Sequence, residues 1–365
     1  MGNIFFWMIY YIKCFFNIII SYLPIYSLDK KNIELTNLTS LKKINSHLYL
    51  VKLSGDYLDM GKSYGRLMKN ILKKDCNIFL NTLKKNNVKF NNRISKKYRK
   101  KNLFLSIKNL YQINKKNYNL NIINFIKGVS LTSNISFSKL LIINLFTDMM
   151  DNHCIILSKK INNKILNIRT LDYGAPEFSQ TLIVFHPKDM IPYCSLNLSC
   201  IFGVVSGVSK NNIFFGETYH DNLIGEISYI GMPFHHVAHN ILAKCSDIES
   251  SEKMLKSVSK TSNLELLISD NESSKIFLSN KDKFILKHDF YNTTTKSNEL
   301  IIKNSEYLDT IENVLGKFIP KSKSGELHCF ITYDNNLYVS VTTKYLQSYN
   351  NTFYKFNLLD LFKNS

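Results

Sequence analysis

Arginine is scarce in this 365-residue chain, supplying four of its 47 basic residues: Arg66, Arg93, Arg99 and Arg169. Where Lys is the default cation, an Arg marks a place that needs a planar, permanently charged fork. Glycine (13), proline (6) and tryptophan (1) are also sparse, and no internal repeat or long Pro/Gly linker interrupts the sequence. The seven cysteines show no paired C-x-x-C spacing, which argues against a structural zinc site. An odd number in a chain this long also argues against a disulfide scaffold. Cys194 and Cys200 read as small buried hydrophobes rather than as a pair. Nucleic-acid motifs are missing as well. The net charge of +19 comes from Lys spread along the chain among Asn, Ile, Tyr and Phe. Only Lys96 to Lys101 (KKYRKK) is dense; it reads first as a solvated face, with attraction to anionic lipid or acidic substrate as the alternative.

Apolar content of 45% with 21% charged residues excludes wholesale disorder and allows a substantial core. Residues 1–27 stand apart. Ile4 to Tyr26 is long and apolar enough for a bilayer span, is interrupted by Lys13 and Asn17, and lacks a small-x-small cleavage site. A signal anchor or signal segment is expected there, with membrane association through residues 4–26 and a membrane-anchored or secretory, lumenal location. Sequons at Asn37, Asn134, Asn197, Asn271, Asn292 and Asn350 agree mildly with a glycoprotein. Residues 28–47 read as a polar linker, and residues 48–365 as one domain.

Within that domain Leu48–Leu53 reads as a strand. A helix follows, with Asp56 as N-cap and an apolar face of Met60, Tyr64, Leu67, Met68 and Ile71. Gly61 and Gly65 inside this helix imply close approach of another element or of substrate. Residues 94–150 read as helices, and the pattern then turns to strands from Cys154 to Tyr219. Helices follow at 233–245 and 247–259, the second with a capping box from Ser246 and Glu249. Strands return at 264–269, 275–279 and 283–288. A helix near 304–317 precedes closing strands at 327–333, 336–343 and 352–357. This order predicts a layered α+β domain.

The chemistry concentrates at Cys154. It opens an apolar run, Cys154-Ile-Ile-Leu-Ser158, which resumes as Ile165-Leu-Asn-Ile-Arg169 and ends in Thr170-Leu-Asp172-Tyr-Gly174. The spacing predicts a β-hairpin with a thiol at the start of its first strand and an Arg–Asp pair at the end of its second. His153 adjoins the thiol, but strand neighbours face opposite sides, which disfavours a simple Cys–His dyad.

Four segments in order resemble the acyl-CoA:6-aminopenicillanic-acid acyltransferase family. This is a branch of the N-terminal-nucleophile (Ntn) hydrolases, related to choloylglycine hydrolases and acid amidases. They are Gly55 to Gly65, Cys154 with Asn167 to Tyr173, Phe202 to Ser209, and Ile230 to Cys245 leading into Leu266 to Asp270. The resemblance spans roughly residues 48–357 and implies a four-layer αββα sandwich. It also implies self-cleavage between His153 and Cys154, which leaves Cys154 as a new N-terminus. A free α-amino group titrates near ~7.7–8.0 and can take the thiol proton, so nucleophile and base share one residue. By resemblance, Asp172 would hold the α-amino group and Arg169 would orient the thiol. Cys154 would then form a thioester with an acyl-amide or acyl-CoA substrate and pass the acyl group to water or an amine, with no cofactor.

Asp59 replaces the family's Glu in the first segment, and three further departures bear on the chemistry. Ile155 replaces the usual Thr, Ser209 stands where Gly-x-Asn is usual, and Glu265 replaces an Asn, with Asn263 two residues earlier. Ser209 and Asn263 are therefore the oxyanion candidates, and the substitutions motivate an alternative: an inactive relative kept as a binding protein. A zinc hydrolase built on His235, His236 and His239 is a further alternative, although no Glu stands where H-E-x-x-H needs its base. The plainer reading of those histidines is a polar, partly exposed helix face.

Overall fold

The computed structural model describes residues 28–29, 39–146, 154–172, 178–219, 229–261, 264–279, 284–287 and 300–363. The apolar stretch 4–26 lies outside them, and no described helix is long and apolar enough to cross a membrane.

Fifteen described strands form two sheets. The smaller has the order β1-β15-β14-β13-β5-β4, from Leu28–Asp29 (β1), Phe353–Asn357 (β15), Asn336–Val341 (β14), His328–Tyr333 (β13), Lys164–Leu171 (β5) and Ile156–Ile161 (β4). The larger has the order β12-β11-β10-β9-β8-β7-β6-β3-β2. In that order the strands are Phe284–Lys287 (β12), Ser274–Ser279 (β11), Leu264–Ser269 (β10), Phe214–Tyr219 (β9), Ser206–Ser209 (β8), Tyr193–Leu198 (β7), Gln180–Pro187 (β6), Leu48–Gly55 (β3) and Ser40–Lys43 (β2). From β6 to β12 it is a meander of neighbouring antiparallel strands; β3 joins β6 in parallel.

Side chains alternate across these strands, and each face has its own core. Leu50, Leu182, Val184, Leu196, Phe214 and Leu267 of the large sheet meet Ile156, Phe330, Leu337 and Val339 of the small one. The large sheet's other face, with Val51, Leu53, Ile183, Phe185 and Phe215, packs on helices. These are Tyr57–Leu67 (α1), Lys69–Lys85 (α2), Asn87–Arg93 (α3), Leu103–Asn114 (α4), Leu120–Ser133 (α5), Phe137–Phe146 (α6), Phe234–Lys244 (α7) and Ile248–Ser257 (α8). The small sheet's outer face, with Leu157, Leu166, Ile168 and Ile331, packs on Val314, Leu315, Phe318 and Ile319 of a helical run over 311–322 (α9). The layers are therefore α, β, β and α, the sandwich expected above.

Local sequence explains most of these elements. Asp56 accepts the Asp59 N–H at 2.9 Å and starts α1. The glycines of α1 answer to α5: a Cβ on Gly61 would stand 2.2 Å from the Phe125 carbonyl oxygen, and one on Gly128 2.1 Å from that of Leu58. Backbone meets backbone there, and any side chain would force the helices apart.

Some expectations need correction. The stretch 28–47 is not only linker, because β1 and Ser40–Lys43 (β2) lie inside it and pair with β15 and β3. The cap of α8 is Asp247, which exchanges bonds with Ser250, rather than Ser246 with Glu249. The helix expected near 304–317 is a 3-10 turn at Ser305–Tyr307 followed by α9, whose middle, Val314–Phe318, is a π turn. Asn197 is buried, with its amide on the Gly203 carbonyl at 3.0 Å, so that sequon is closed to a glycan.

Candidate active site

Cys154 lies just before β4, at the end of the small sheet, where the two sheets meet. The ladder of β4 and β5 continues past β4 through Thr170 N–H to the Ile155 carbonyl at 2.9 Å. Ile155 N–H donates to Thr170 Oγ1 at 3.0 Å. Thr218 of β9, in the other sheet, clasps the Cys154 backbone. Its hydroxyl accepts the Cys154 N–H at 3.2 Å and bonds the Cys154 carbonyl at 3.1 Å. The nucleophile candidate is thus held by backbone on one sheet and by a side chain from the other.

Arg169 reaches the same point from β5 and is fully buried. Its positive charge acts on the Cys154 thiol beside it, and it donates Nη1–H to the Thr170 carbonyl. Nη2–H donates to Glu217 Oε1 at 2.6 Å. A buried Arg needs such partners, because an unpaired charge inside a protein costs several kcal/mol. Gly216 makes room for it: a Cβ there would stand 3.4 Å from Arg169 Cδ and 3.3 Å from Ile156 Cγ2. Burial opposes the guanidinium charge, yet Cys154 and Glu217 together hold its pKa above the ordinary value. Burial raises the Glu217 carboxyl, and Arg169 pulls it back.

The ion-pair partner of Arg169 is Glu217. Asp172 bonds the 324–326 loop. Its carboxylate accepts from Ser324 Oγ at 2.6 Å, Gly325 N–H at 2.5 Å and Glu326 N–H at 2.7 Å, which fixes the loop entering β13. Ser324 Oγ also bonds Thr170 Oγ1 at 2.6 Å, linking that loop to the residue that holds Ile155. The Asp172 backbone N–H hydrogen-bonds the Cys154 sulfur. Burial pushes the Cys154 thiol up to about 12, against the pull of Arg169 towards thiolate. In this form it is a protonated thiol and needs a base. His328, on the neighbouring strand, is not that base: Nδ1 bonds Gln180 Oε1 at 2.6 Å and Nε2 bonds Ser206 Oγ at 2.9 Å.

Cys154, Arg169 and Asp172 are brought together, and Ser209 is not. It sits opposite Ile213 in the turn between β8 and β9, where its hydroxyl accepts the Ile213 N–H at 3.2 Å. Thr218 is five residues farther along β9, on the order of 17 Å away at strand rise. His153 and Asn263 lie outside the described residues. Glu265 is buried on β10, directly across from Thr218.

His235, His236 and His239 are fully buried between α7 and the large sheet, not on a partly exposed face. Asn119 N–H donates to His236 Nδ1 at 3.1 Å, and Tyr193 Oη bonds His239 Nδ1 at 2.8 Å. Burial drives the pKa of His235 and His239 down to about 3, and that of His236 well below its usual value. Among the described residues no three His, Cys, Asp or Glu side chains are arranged to hold a metal ion.

Glu217 and Thr218 escaped the sequence reading. Their one signal is an acidic residue inside the apolar strand Phe214-Phe-Gly-Glu-Thr-Tyr219.

No family model matches the chain, and no curated protein matches it. Among solved structures it is similar to penicillin V acylase from Agrobacterium tumefaciens, at 12% identity and TM-score 0.37, over 57% of this chain and 88% of that one. It is also similar to a mutant of conjugated bile acid hydrolase from Clostridium perfringens, at 12% identity and TM-score 0.38, over 58% of this chain and 95% of that one.

Proposed function

We propose that the chain is a thiol amidohydrolase or acyltransferase that attacks an acyl-amide or acyl-thioester carbonyl through Cys154. One observation carries this reading: a buried thiol under the charge of a fully buried guanidinium that Glu217 and the Thr170 carbonyl hold in place. Proteins seldom bury an Arg–Glu pair for stability, since apolar replacements of similar volume are often as stable or more so. A cation fixed beside a thiol lowers the energy of the thiolate and of the negative charge that develops in acyl transfer.

The missing element is a base. Cleavage after His153 would turn the Cys154 N–H, now on Thr218 Oγ1, into a free amine on the same residue as the thiol. That amine takes the Sγ proton as sulfur attacks the acyl carbon, and returns a proton to the departing amine. The thioester then passes its acyl group to water or to an acceptor amine, and the thiol is restored. With the thiol held near 12, the uncut chain is a dormant form. The apolar stretch 4–26 would deliver the protein to a membrane or into the secretory pathway.

Intact-mass measurement on purified protein tests the reading. Two fragments divided between residues 153 and 154, the larger one alkylated at its first residue with loss of amide turnover, are the expected result. A chain that stays whole and still hydrolyses an amide would refute the mechanism.

A further inference from the structure

The positive charge is unevenly shared among the layers. From Asp56 to Phe146, across α1 to α6, the chain has 19 Lys and Arg against three acidic residues, while the other 274 residues have 28 against 25. Between Asp75 and Phe146 no further acidic residue occurs. A coding bias towards Lys acts on the whole chain, so it does not explain one layer that excludes Asp and Glu beside others that are balanced.

The densest part of this layer has a definite form. Arg99 is committed to the fold: its guanidinium donates to the Asn92 and Ile94 carbonyls and to the Asn92 side chain, closing the end of α3. Lys96, Lys97, Lys100 and Lys101 around it are exposed. The segment is tied to α4 by Asn109 Nδ2, which donates to the Tyr98 carbonyl at 3.0 Å. Along α4, Leu105, Lys108, Gln112 and Ile113 are exposed at helical spacing, a stripe with Lys108 and Gln112 between two aliphatic residues. Lys115, Lys116 and Leu120 extend it across the turn into α5. Leu105 and Ile113 are each 46% exposed and Leu120 66%.

We propose that this face, residues 96–120, seats the protein on an anionic lipid bilayer. The lysines would lie at the headgroups, and Leu105, Ile113 and Leu120 would enter the acyl boundary. Lysine alone would also suit a nucleic acid, but that surface gains from free Arg and stacking aromatics. Here the exposed apolar residues are aliphatic, the aromatics Tyr98, Phe104 and Tyr111 are half-buried, and the Arg of the patch is occupied. The inference is independent of the catalytic reading.

Co-sedimentation of the full chain with lipid vesicles tests it. Residues 1–27 carry little charge and should treat zwitterionic and anionic vesicles alike, so the difference between the two reports on this face. Vesicles with about 30% phosphatidylserine should bind far more tightly than pure phosphatidylcholine, and salt should weaken the binding. Replacing Lys96, Lys97, Lys100 and Lys101 by Gln should weaken it several hundredfold, at about fivefold per lysine. Ile113→Ser with Leu120→Ser leaves the charge unchanged and should weaken it by about tenfold or more. Every changed side chain is exposed, so unaltered circular dichroism is expected. Equal binding to both vesicle types overturns the proposal. So does an Ile113→Ser/Leu120→Ser variant that binds as wild type while duplex DNA strips the protein from vesicles, which would mark a nucleic-acid surface instead.

Discussion

Two groups of titratable side chains are buried in this molecule, and they are buried in opposite ways. At the seam between the sheets, Arg169 and Glu217 form an ion pair at 2.6 Å beside Cys154. Between α7 and the large sheet, three imidazoles lie together, with the rings of His235 and His236 4.5 Å apart, and burial holds them neutral. Cys154 and Arg169 of the first group and the three histidines of the second stand out in the sequence as possible chemistry. The difference is what each burial preserves. The histidines gave up their charge and became core, with Tyr57 and Tyr193 packed on His239. The seam kept its charge at a cost in desolvation, and holds it beside a sulfur. A retained buried charge touching a nucleophile is a better mark of a site than residue type.

The largest expected effect breaks the seam at its centre. Cys154→Ala should leave one uncut chain and reduce amide turnover by at least about a thousandfold. Substituting His239 by Gln should leave cleavage and turnover per folded molecule near wild type. If His239→Gln abolished turnover with the fold intact, the two regions would have to exchange roles.

Glu217→Gln comes next. It leaves the Arg169 charge buried without its carboxylate, for which about 3–5 kcal/mol of stability is the usual loss. Urea unfolding measures that, and turnover per folded molecule should fall as well because the guanidinium loses its anchor. A variant as stable and active as wild type would show that the pair neither holds the site nor costs the fold.

Acid separates the two groups without any mutation. An imidazole with a depressed folded-state pKa contributes stability that is complete above the unfolded value of about 6.5 and is lost as pH falls towards the folded one. With His239 at about 3, the loss runs from near neutrality down through pH 4. Glu217 has the opposite sign: its folded-state pKa is raised, so its contribution is complete below the unfolded carboxyl value and declines as pH rises through the folded one. His239→Gln should therefore flatten the acid limb of the stability curve by about 1.4 kcal/mol per pH unit. An unchanged slope would mean that the imidazole is charged in the folded protein.

Legibility in the sequence followed how local each cause is. The start of α1 rests on Asp56 and Asp59, three residues apart, and its glycines announced a close neighbour that proved to be α5. The hairpin of β4 and β5 was readable because both strands and their turn lie within 156–171. Cys154, Arg169 and Asp172 could be assembled from one short segment. Glu217 could not, because it meets Arg169 across 48 residues and from the other sheet. The pairing of Asp172 with the 324–326 loop spans more than 150 residues. Ser209 was misplaced for the same reason: motif order does not reveal that a turn puts it five residues along β9 from Thr218. The histidines misled because helical spacing does not say which face is covered.

The smallest expected effect is also the most selective. Gly216→Ala adds one methyl group 3.4 Å from Arg169 Cδ and 3.3 Å from Ile156 Cγ2, tight contacts that a shift of a few tenths of an ångström relieves. Stability should change by less than about 1 kcal/mol, since no polar partner is lost and little volume is added. The Arg169 stem yields most readily, by small turns of its unbranched torsions, because Ile156 is stiff at χ1 and the Phe214 ring, also 3.3 Å away, is packed in the core between the sheets. A guanidinium displaced from Sγ supports thiolate less, so turnover should fall several-fold and alkylation of Cys154 should need a higher pH. If Gly216 only fills a core, the variant would instead lose stability and keep both its turnover and its alkylation profile. Rates measured on the same folded preparation separate these outcomes, and the chemical one is expected because the cation beside the thiol is the feature that distinguishes the seam from the neutral histidine core.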